Sequence, residues 1–233
     1  MGAQWKHAGR TENSAARGKL FGKLAKEIIV AAKLGGPDVA SNSRLRMAVE
    51  NGKKSSMPRD TIERAIKKGA GLLDEVVNYE TVTYEGFAPH QVPVVVECLT
   101  DNKTRTAANV RMVFRAGQIA ATGAITWDFL RQGVIEAAPP AAGADAETAA
   151  IEAGAQNVEA GDAGDSRFYT EASDLDAVTK ALTAAGWNVK ESKLAWIAKN
   201  PVEVTGAARA EVEAFLADLD ADDDVQEIFV GMK

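Results

Sequence analysis

The chain has 233 residues, of which 46% are hydrophobic and 26% are charged, with a formal net charge of −6. These values are typical of globular proteins, and no run of about 18 apolar residues would span a membrane. The first ten residues contain no apolar signal-peptide core, and Cys98 has no second cysteine with which to form an internal disulfide. We therefore expect a cytoplasmic protein with no membrane partner.

The charge is divided unevenly along the chain. Residues 1–71 contain 15 Lys and Arg against 6 Asp and Glu, a net charge of +9, whereas residues 72–233 contain 12 against 27, a net charge of −15. A concentrated positive surface is typical of proteins that neutralise phosphates, and an acidic remainder would orient a polyanion towards it. The alternative is that these are simply charged, solvated helix surfaces.

Three amphipathic helices are predicted in the basic segment. The first covers residues 18–34 and ends at Gly35-Gly36-Pro37. The second begins after Asn42 or Ser43 as its cap, and the third begins at Met57-Pro58 and ends near Gly69. The inward stripe of the first helix is predicted from helical spacing to contain Leu20, Phe21, Leu24, Ile28 and Ala31.

The outward faces of these helices carry the candidate phosphate contacts. They are Lys19, Lys23, Lys26, Lys33, Arg44, Arg46, Lys53, Lys54, Arg59, Lys67 and Lys68. Part of this charge can pair along the surface, since Arg59, Glu63 and Lys67 stand four residues apart. A helix-turn-helix that reads the major groove is one use of such a bundle, but Asn and Gln are scarce on these faces, which favours phosphate contact.

Beyond a linker at residues 70–78 the hydrophobic period changes from 3.6 to 2. Residues 79–85 and 92–99 are predicted strands, and the second is the β-branched run of a buried strand. Ala107, Val110, Val113 and Phe114 then indicate a helix that ends at Gly117. Residues 125–129 are predicted to form another strand.

Residues 133–196 follow the order strand, helix, strand, strand, helix, strand, which is that of the ferredoxin-like unit. The predicted pieces are 134–135, 146–153, Val158, 168–171, 175–185 and 189–197, with a flexible Ala/Pro/Gly-rich loop at 137–146. A last helix (211–219) and strand (225–230) need the earlier sheet. We therefore predict an α+β multidomain fold with a basic helical domain (1–75), an α+β domain (76–131 plus 201–233) and an inserted ferredoxin-like domain (132–200).

Few residues suggest chemistry. Asp101, Asn102, Lys103 and Arg105 join a buried strand to a helix, where they would cap the helix or bind a phosphate or partner at its N-terminus. The acidic run 220–224 is predicted to be a solvated turn, with metal or partner binding as the alternative. No catalytic constellation, metal-ligand spacing or cofactor motif is recognisable, so we expect no enzyme activity, no metal and no cofactor.

Several stretches resemble the YebC family of bacterial regulatory proteins, which includes the mitochondrial translational activator of cytochrome c oxidase. Among them are Arg17-Gly18-Lys19-Leu20-Phe21, Ser41-Asn42-Ser43-Arg44-Leu45-Arg46, the run from Met57 to Gly69, Tyr84-Glu85-Gly86-Phe87, the run from Val96 to Asn102, and Asp222-Asp223-Asp224-Val225-Gln226. The resemblance covers nearly the whole chain in order. At the start only Gln4-Trp5-Lys6-His7 matches the family's basic opening, which predicts a divergent paralogue.

The resemblance implies a helical domain followed by two α+β domains, one inserted in the other, and a protein that binds nucleic acid. Some members of the family are similar to DNA-binding transcriptional regulators. Others are similar to translation factors that act on the ribosome, where the loop at Met57 would approach ribosomal RNA. We therefore expect a DNA-binding transcriptional regulator, with a translation factor that binds ribosomal or messenger RNA as the alternative. A scaffold whose acidic domain docks a basic protein is a third reading.

Overall fold

The computed structural model describes residues 14–73, 78–141 and 143–233. The N-terminal arm (1–13) and part of the predicted linker (74–77) lie outside the described residues. The helices are α1 (Ser14–Gly35), α2 (Ser43–Lys54), α3 (Arg59–Gly69), α4 (Lys103–Val113), α5 (Ala146–Ala153), α6 (Leu175–Ala184) and α7 (Gly206–Asp220). The strands are β1 (Glu80–Ala88), β2 (Val92–Thr100), β3 (Gln118–Ile119), β4 (Phe129–Ala138), β5 (Asn157–Ala160), β6 (Ser166–Thr170), β7 (Asn188–Ala198) and β8 (Val225–Val230).

The polypeptide forms two compact units. The first contains the chain up to Leu130 together with Trp196–Lys233, and the second is Arg131–Ala195. The α+β multidomain fold expected from the sequence is confirmed. No helix of the described residues is both long and apolar enough to cross a membrane.

Helices α1, α2 and α3 enclose a small core of their own. The chain leaves α1 through Gly36, which adopts φ +84°, so the predicted end of the first helix is confirmed. The Asn42 side chain accepts a hydrogen bond from the Leu45 N–H, which confirms the predicted cap of α2. Helix α3 packs closely on α1, since a Cβ on Gly69 would lie 2.3 Å from the Ile29 carbonyl oxygen. The buried side chains at the centre of this bundle come from all three helices and from the loop between α2 and α3: Ile28, Ile29, Ala31, Ala32, Leu45, Ala48, Val49, Met57, Ile62 and Ala65.

The rest of the first unit is a four-stranded sheet of order β3-β1-β2-β8. Strand β8 pairs antiparallel with β2, so the last helix and strand do join the earlier sheet, as predicted. Helices α4 and α7 bury their apolar faces on one side of it, where the Phe114 and Phe215 rings meet edge to face at 5.2 Å. The carboxyl end of β2 therefore lies beside both the start of α4 and the turn after α7.

The second unit has the sheet order β5-β6-β4-β7, in which the first and third strands of the unit are central neighbours. Strand β6 pairs antiparallel with both β4 and β5. With α5 and α6 as its crossovers, this is the ferredoxin-like arrangement expected from the element order. Phe168 and Trp187 contact each other edge to face at 5.0 Å inside it.

Two local predictions are wrong. Residues 125–129 do not form a separate strand, because the N–H groups of Ile125 and Thr126 donate to the Glu85 carboxylate at 2.8 and 2.9 Å. A short 3-10 turn follows, and the strand begins at Phe129. Leu20 is 45% exposed and does not belong to the buried stripe of α1, which is fully buried only from Ile28 onwards.

Candidate nucleic-acid interface

Two of the predicted phosphate contacts on α1 face the protein itself. Lys23 forms an ion pair with Asp220 at 2.8 Å, and both side chains are only 13% exposed. Lys26 lies 2.8 Å from the Asp224 carboxylate, 2.8 Å from the Asp223 carbonyl oxygen and 3.4 Å from that of Leu99. Those three acceptors match the three N–H groups of an ammonium. The prediction that Lys23 and Lys26 lie on an outward basic face is therefore wrong.

Asp224 is the centre of this contact. One carboxylate oxygen accepts from Lys26, and the other lies 2.6 Å from an Arg105 guanidinium nitrogen, 2.9 Å from the Thr106 hydroxyl and 3.2 Å from that of Thr100. Burial alone would raise the pKa of Asp224, but the hydrogen bonds from Lys26, Arg105 and Thr106 outweigh it and lower the pKa to about 2. The carboxylate is therefore charged throughout the physiological range.

The acidic run 220–224 is not the solvated turn predicted from the sequence. Asp220 and Asp224 bind lysines of α1, and the Asp222 carboxylate accepts from the Asn109 amide at 2.7 Å. Three of the four acids thus contact α1 or α4. The turn attaches the basic helical domain to the acidic α+β domain, and its charge neutralises part of the basic segment.

Three more of the predicted cations on α1 and α2 also have internal partners. Arg44 donates through two nitrogens to Glu27, at 2.8 and 3.2 Å. Arg46 donates to the carbonyl oxygens of Val39 and Ala40, and Lys33 donates to the Asn78 side chain. Of these, the Arg44–Glu27 pair is half exposed, so solvent screens it and it adds little stability.

Met57 is not an exposed contact. Its side chain is 5% exposed and belongs to the core of the helical bundle, where its sulfur lies next to Gly52. The expectation that Met57 itself touches RNA is therefore wrong for this conformation. The preceding Ser56 adopts φ +60°, and the exposed Lys53, Lys54 and Pro58 surround the buried methionine in sequence.

The remaining predicted cations lie at the end of α2 and along α3. Lys53, Lys54, Arg59 and Lys67 are exposed and Lys68 is half-buried, as is Lys19 on α1. Within the part of the chain that the structure describes, Lys53 and Lys67 have no ion-pair partner. Arg59 pairs with Glu63, but its side chain is 89% exposed, so this surface pair is weak. Residues 14–73 hold 13 Lys and Arg against 5 Asp and Glu, a net charge of +8.

The segment from Asp101 to Arg105 acts as a helix cap. The Asn102 side chain accepts from the Arg105 N–H at 3.0 Å, which confirms the capping interpretation. Arg105 then pairs with Asp101 and Asp224, and Lys103 pairs with Glu80. The four residues lie close together, and both cations have carboxylate partners.

Sequence reasoning missed the role of Glu85. This carboxylate is 3% exposed and accepts backbone N–H groups of Gly123, Ile125 and Thr126 at 2.6–2.9 Å. Burial would raise its pKa, but these three backbone donors lower it below the usual glutamate range. The sequence offered one signal for a buried acid here, a glutamate at an alternating position of a predicted strand, followed by Gly-Phe. Its partners lie about 40 residues away and carry no pattern of their own.

Cys98 lies in the hydrophobic core of the α+β domain. Cys98 is fully buried, and its burial, together with the charges of Asp222 and Asp224, raises the pKa of the thiol to about 12. The thiol is therefore protonated and packs as a small apolar side chain. Among the described residues, no three His, Cys, Asp or Glu side chains are grouped so as to hold a metal ion.

Two family models match this chain. The TACO1/YebC protein N-terminal domain matches residues 2–72, and the TACO1/YebC second and third domain matches residues 79–232. The boundary between the two matches falls in the segment that joins α3 to β1.

Related proteins match over the full length. A protein named "Probable transcriptional regulatory protein" from Polaromonas sp. is 57% identical and covers 100% of this chain and 99% of its own. One of the same name from Pseudomonas syringae pv. syringae is 56% identical over the same shares, and one from Bdellovibrio bacteriovorus is 50% identical over 98% of each chain. The crystal structure of a conserved hypothetical protein from Aquifex aeolicus superposes with a TM-score of 0.87 at 40% identity, over 99% of this chain and 96% of that one. The chain therefore belongs to the TACO1/YebC family.

Proposed function

We propose that this chain is a cytoplasmic, non-catalytic regulatory protein that binds nucleic acid through the exposed cations of its helical domain. The observation that carries the proposal is the position of the exposed positive charge in the helical domain. Lys23 and Lys26 neutralise the acidic turn, whereas the end of α2 and the length of α3 keep an exposed excess of positive charge. The names of the relatives, probable transcriptional regulatory proteins, support a regulatory role.

The proposed contacts are with phosphates rather than with bases. Helix α3 contains no Asn or Gln, and α2 contains only Asn51, which is half-buried. These are the side chains that most often read adenine, whereas Lys and Arg on phosphates fix register without reading sequence. The cations that we propose for these contacts are Lys19, Lys53, Lys54, Arg59, Lys67 and Lys68.

The test is the salt dependence of binding to a 30-bp duplex DNA of mixed sequence. About six neutralised phosphates predict that log K falls with log salt with a slope near −5. The double variant Lys53→Gln/Lys67→Gln should make the slope shallower by about 2. A matched control, Lys180→Gln/Lys190→Gln, changes the net charge equally but removes lysines that pair with Asp176 and Asp165 on the inserted unit. Binding that ignores salt between about 50 and 200 mM, or equal slopes for both double variants, would contradict the proposal.

A second candidate function, a ribosome-associated translation factor, is favoured by the same scarcity of base-reading side chains on α3. A transcriptional regulator should prefer its operator over random DNA by about 10³-fold or more. A translation factor should instead co-sediment with ribosomes and bind a structured RNA hairpin at least as tightly as the duplex. Measuring the operator preference and the ribosome and hairpin binding in the same buffer separates the two functions.

A further inference from the structure

The α+β domain is acidic, but one stretch of it is not. The 26 residues 102–127 contain four Lys and Arg and no Asp or Glu, whereas the segment 72–233 has 27 acids in 162 residues, or about four for every 26. This stretch includes all of α4 and the edge strand β3. A basic island inside an acidic domain needs a physical explanation.

Half of the island has a structural explanation. Lys103 pairs with Glu80, and Arg105 pairs with Asp101 and Asp224. The other half, Arg111 and Arg115, is exposed and has no carboxylate partner among the described residues.

The two arginines share one surface of the molecule. Arg111 lies in the last turn of α4, and Arg115 lies in the turn directly after the helix, where its N–H donates to the Met112 carbonyl oxygen at 3.3 Å. The neighbouring row, Val110 and Phe114, is buried against the sheet, which fixes the rotation of the helix. Between the arginines Met112 is 61% exposed, so the surface combines two guanidinium groups with an apolar methionine.

This surface begins where the helical domain docks. Arg105 at the start of α4 binds the same carboxylate as Lys26 of α1. Arg111 lies about 9 Å further along the helix axis, roughly a quarter of the ~34 Å in one turn of a DNA duplex, and Arg115 lies in the turn just after α4. The two arginines therefore belong to the same compact unit as the helical domain and follow the helix that begins at its attachment.

We propose that Arg111 in the last turn of α4 and Arg115 in the turn after it form a second contact with the sugar–phosphate backbone of the nucleic acid that the helical domain binds. Guanidinium groups are suited to this role because their planar donors match phosphate oxygens and they are always charged. The inference rests on the proposed function, since it assigns a second surface to the same ligand. The alternative is that Arg115 serves only to complement the C-terminal dipole of α4.

The experiment uses the full chain, a 30-bp mixed-sequence DNA duplex and a structured RNA hairpin. Arg111→Gln/Arg115→Gln should make the slope of log K against log salt shallower by about 2 and weaken binding at about 0.1 M salt by roughly tenfold or more. Each single variant should shift the slope by about 1. The Lys180→Gln/Lys190→Gln control, with the same charge change, should leave the slope within about 0.5. The probe on which the shift appears, duplex or hairpin, identifies the source of the phosphates.

The outcomes separate this inference from the proposed function. If Lys53→Gln/Lys67→Gln changes the slope and the Arg111/Arg115 variants do not, the inference is overturned and the proposed function stands. A response to both the helical-domain and the Arg111/Arg115 variants supports it, whereas a response to the Arg111/Arg115 variants alone contradicts a second contact and overturns the helical domain as the binding site. A wild-type chain that binds neither probe overturns both. A melting temperature lowered by Arg115→Gln with an unchanged slope would assign that arginine to the helix dipole and contradict the inference.

Discussion

Replacing Asp224 by Asn should destabilise the protein at neutral pH and much less in acid. The pKa of this carboxylate is about 2 in the folded protein, against 3.8 for an unperturbed aspartate, because Lys26, Arg105 and Thr106 all donate to it. A lowered pKa stabilises the fold above about pH 4, and that stabilisation is lost as the pH falls through about 2. A difference of nearly two pKa units corresponds to about 2 kcal/mol.

The free energy of unfolding, measured by urea denaturation followed by circular dichroism, is the assay. At pH 7 Asp224→Asn should lose about 2 kcal/mol, and the loss should shrink towards zero near pH 2. The matched control is Asp223→Asn, because Asp223 is exposed and its carboxylate makes no ion pair within the described residues. The control should stay within about 0.5 kcal/mol of the wild type. Equal losses for the two variants at pH 7, or a difference that persists unchanged below pH 3, would refute the reasoning.

Two further substitutions test local packing. Glu85→Gln should cost about 2 kcal/mol and reduce amide-exchange protection at Gly123, because a neutral amide is a weaker acceptor for the buried backbone donors; unchanged protection would show that the carboxylate does not hold the loop. Gly69→Ala should lower the melting temperature although alanine favours helices, because its Cβ would lie 2.3 Å from the Ile29 carbonyl oxygen. Gly22→Ala, inside α1 with nothing within 4 Å of the new methyl group, should instead raise it, and equal signs for the two glycines would contradict the packing argument.

The elements were predicted well where local signals determine them. Residues 146–153 were predicted as a helix and form one with the same bounds, because Asp145 caps it and Gly154 ends it with φ +81°. The strand 225–230 likewise has the predicted bounds. Both elements carry their start and stop signals within a few residues, so no distant contact is needed to place them.

The partners of the charged residues were predicted poorly. Helical spacing correctly separates the lysines of α1 from its apolar stripe, but it does not say what the lysines face. Lys26 and Asp224 are 198 residues apart in sequence, and nothing near either residue signals the other. The prediction for Met57 was wrong for a related reason. A side chain beside a proline in a loop gives no sign in the sequence that it is buried once the bundle is assembled.

The pairing of Lys26 limits where a polyanion can bind. To reach this lysine, a phosphate would have to displace the Asp224 carboxylate, whose side chain is only 6% exposed and which would then keep Arg105 as its cation. An exposed phosphate contact returns only about 1 kcal/mol or less, so displacing this largely buried pair is unfavourable. The basic segment therefore has two separate uses. Lys23 and Lys26 of α1 attach the helical domain to the acidic domain, and the surfaces that we propose for a nucleic acid are the end of α2, the length of α3, and Arg111 with Arg115.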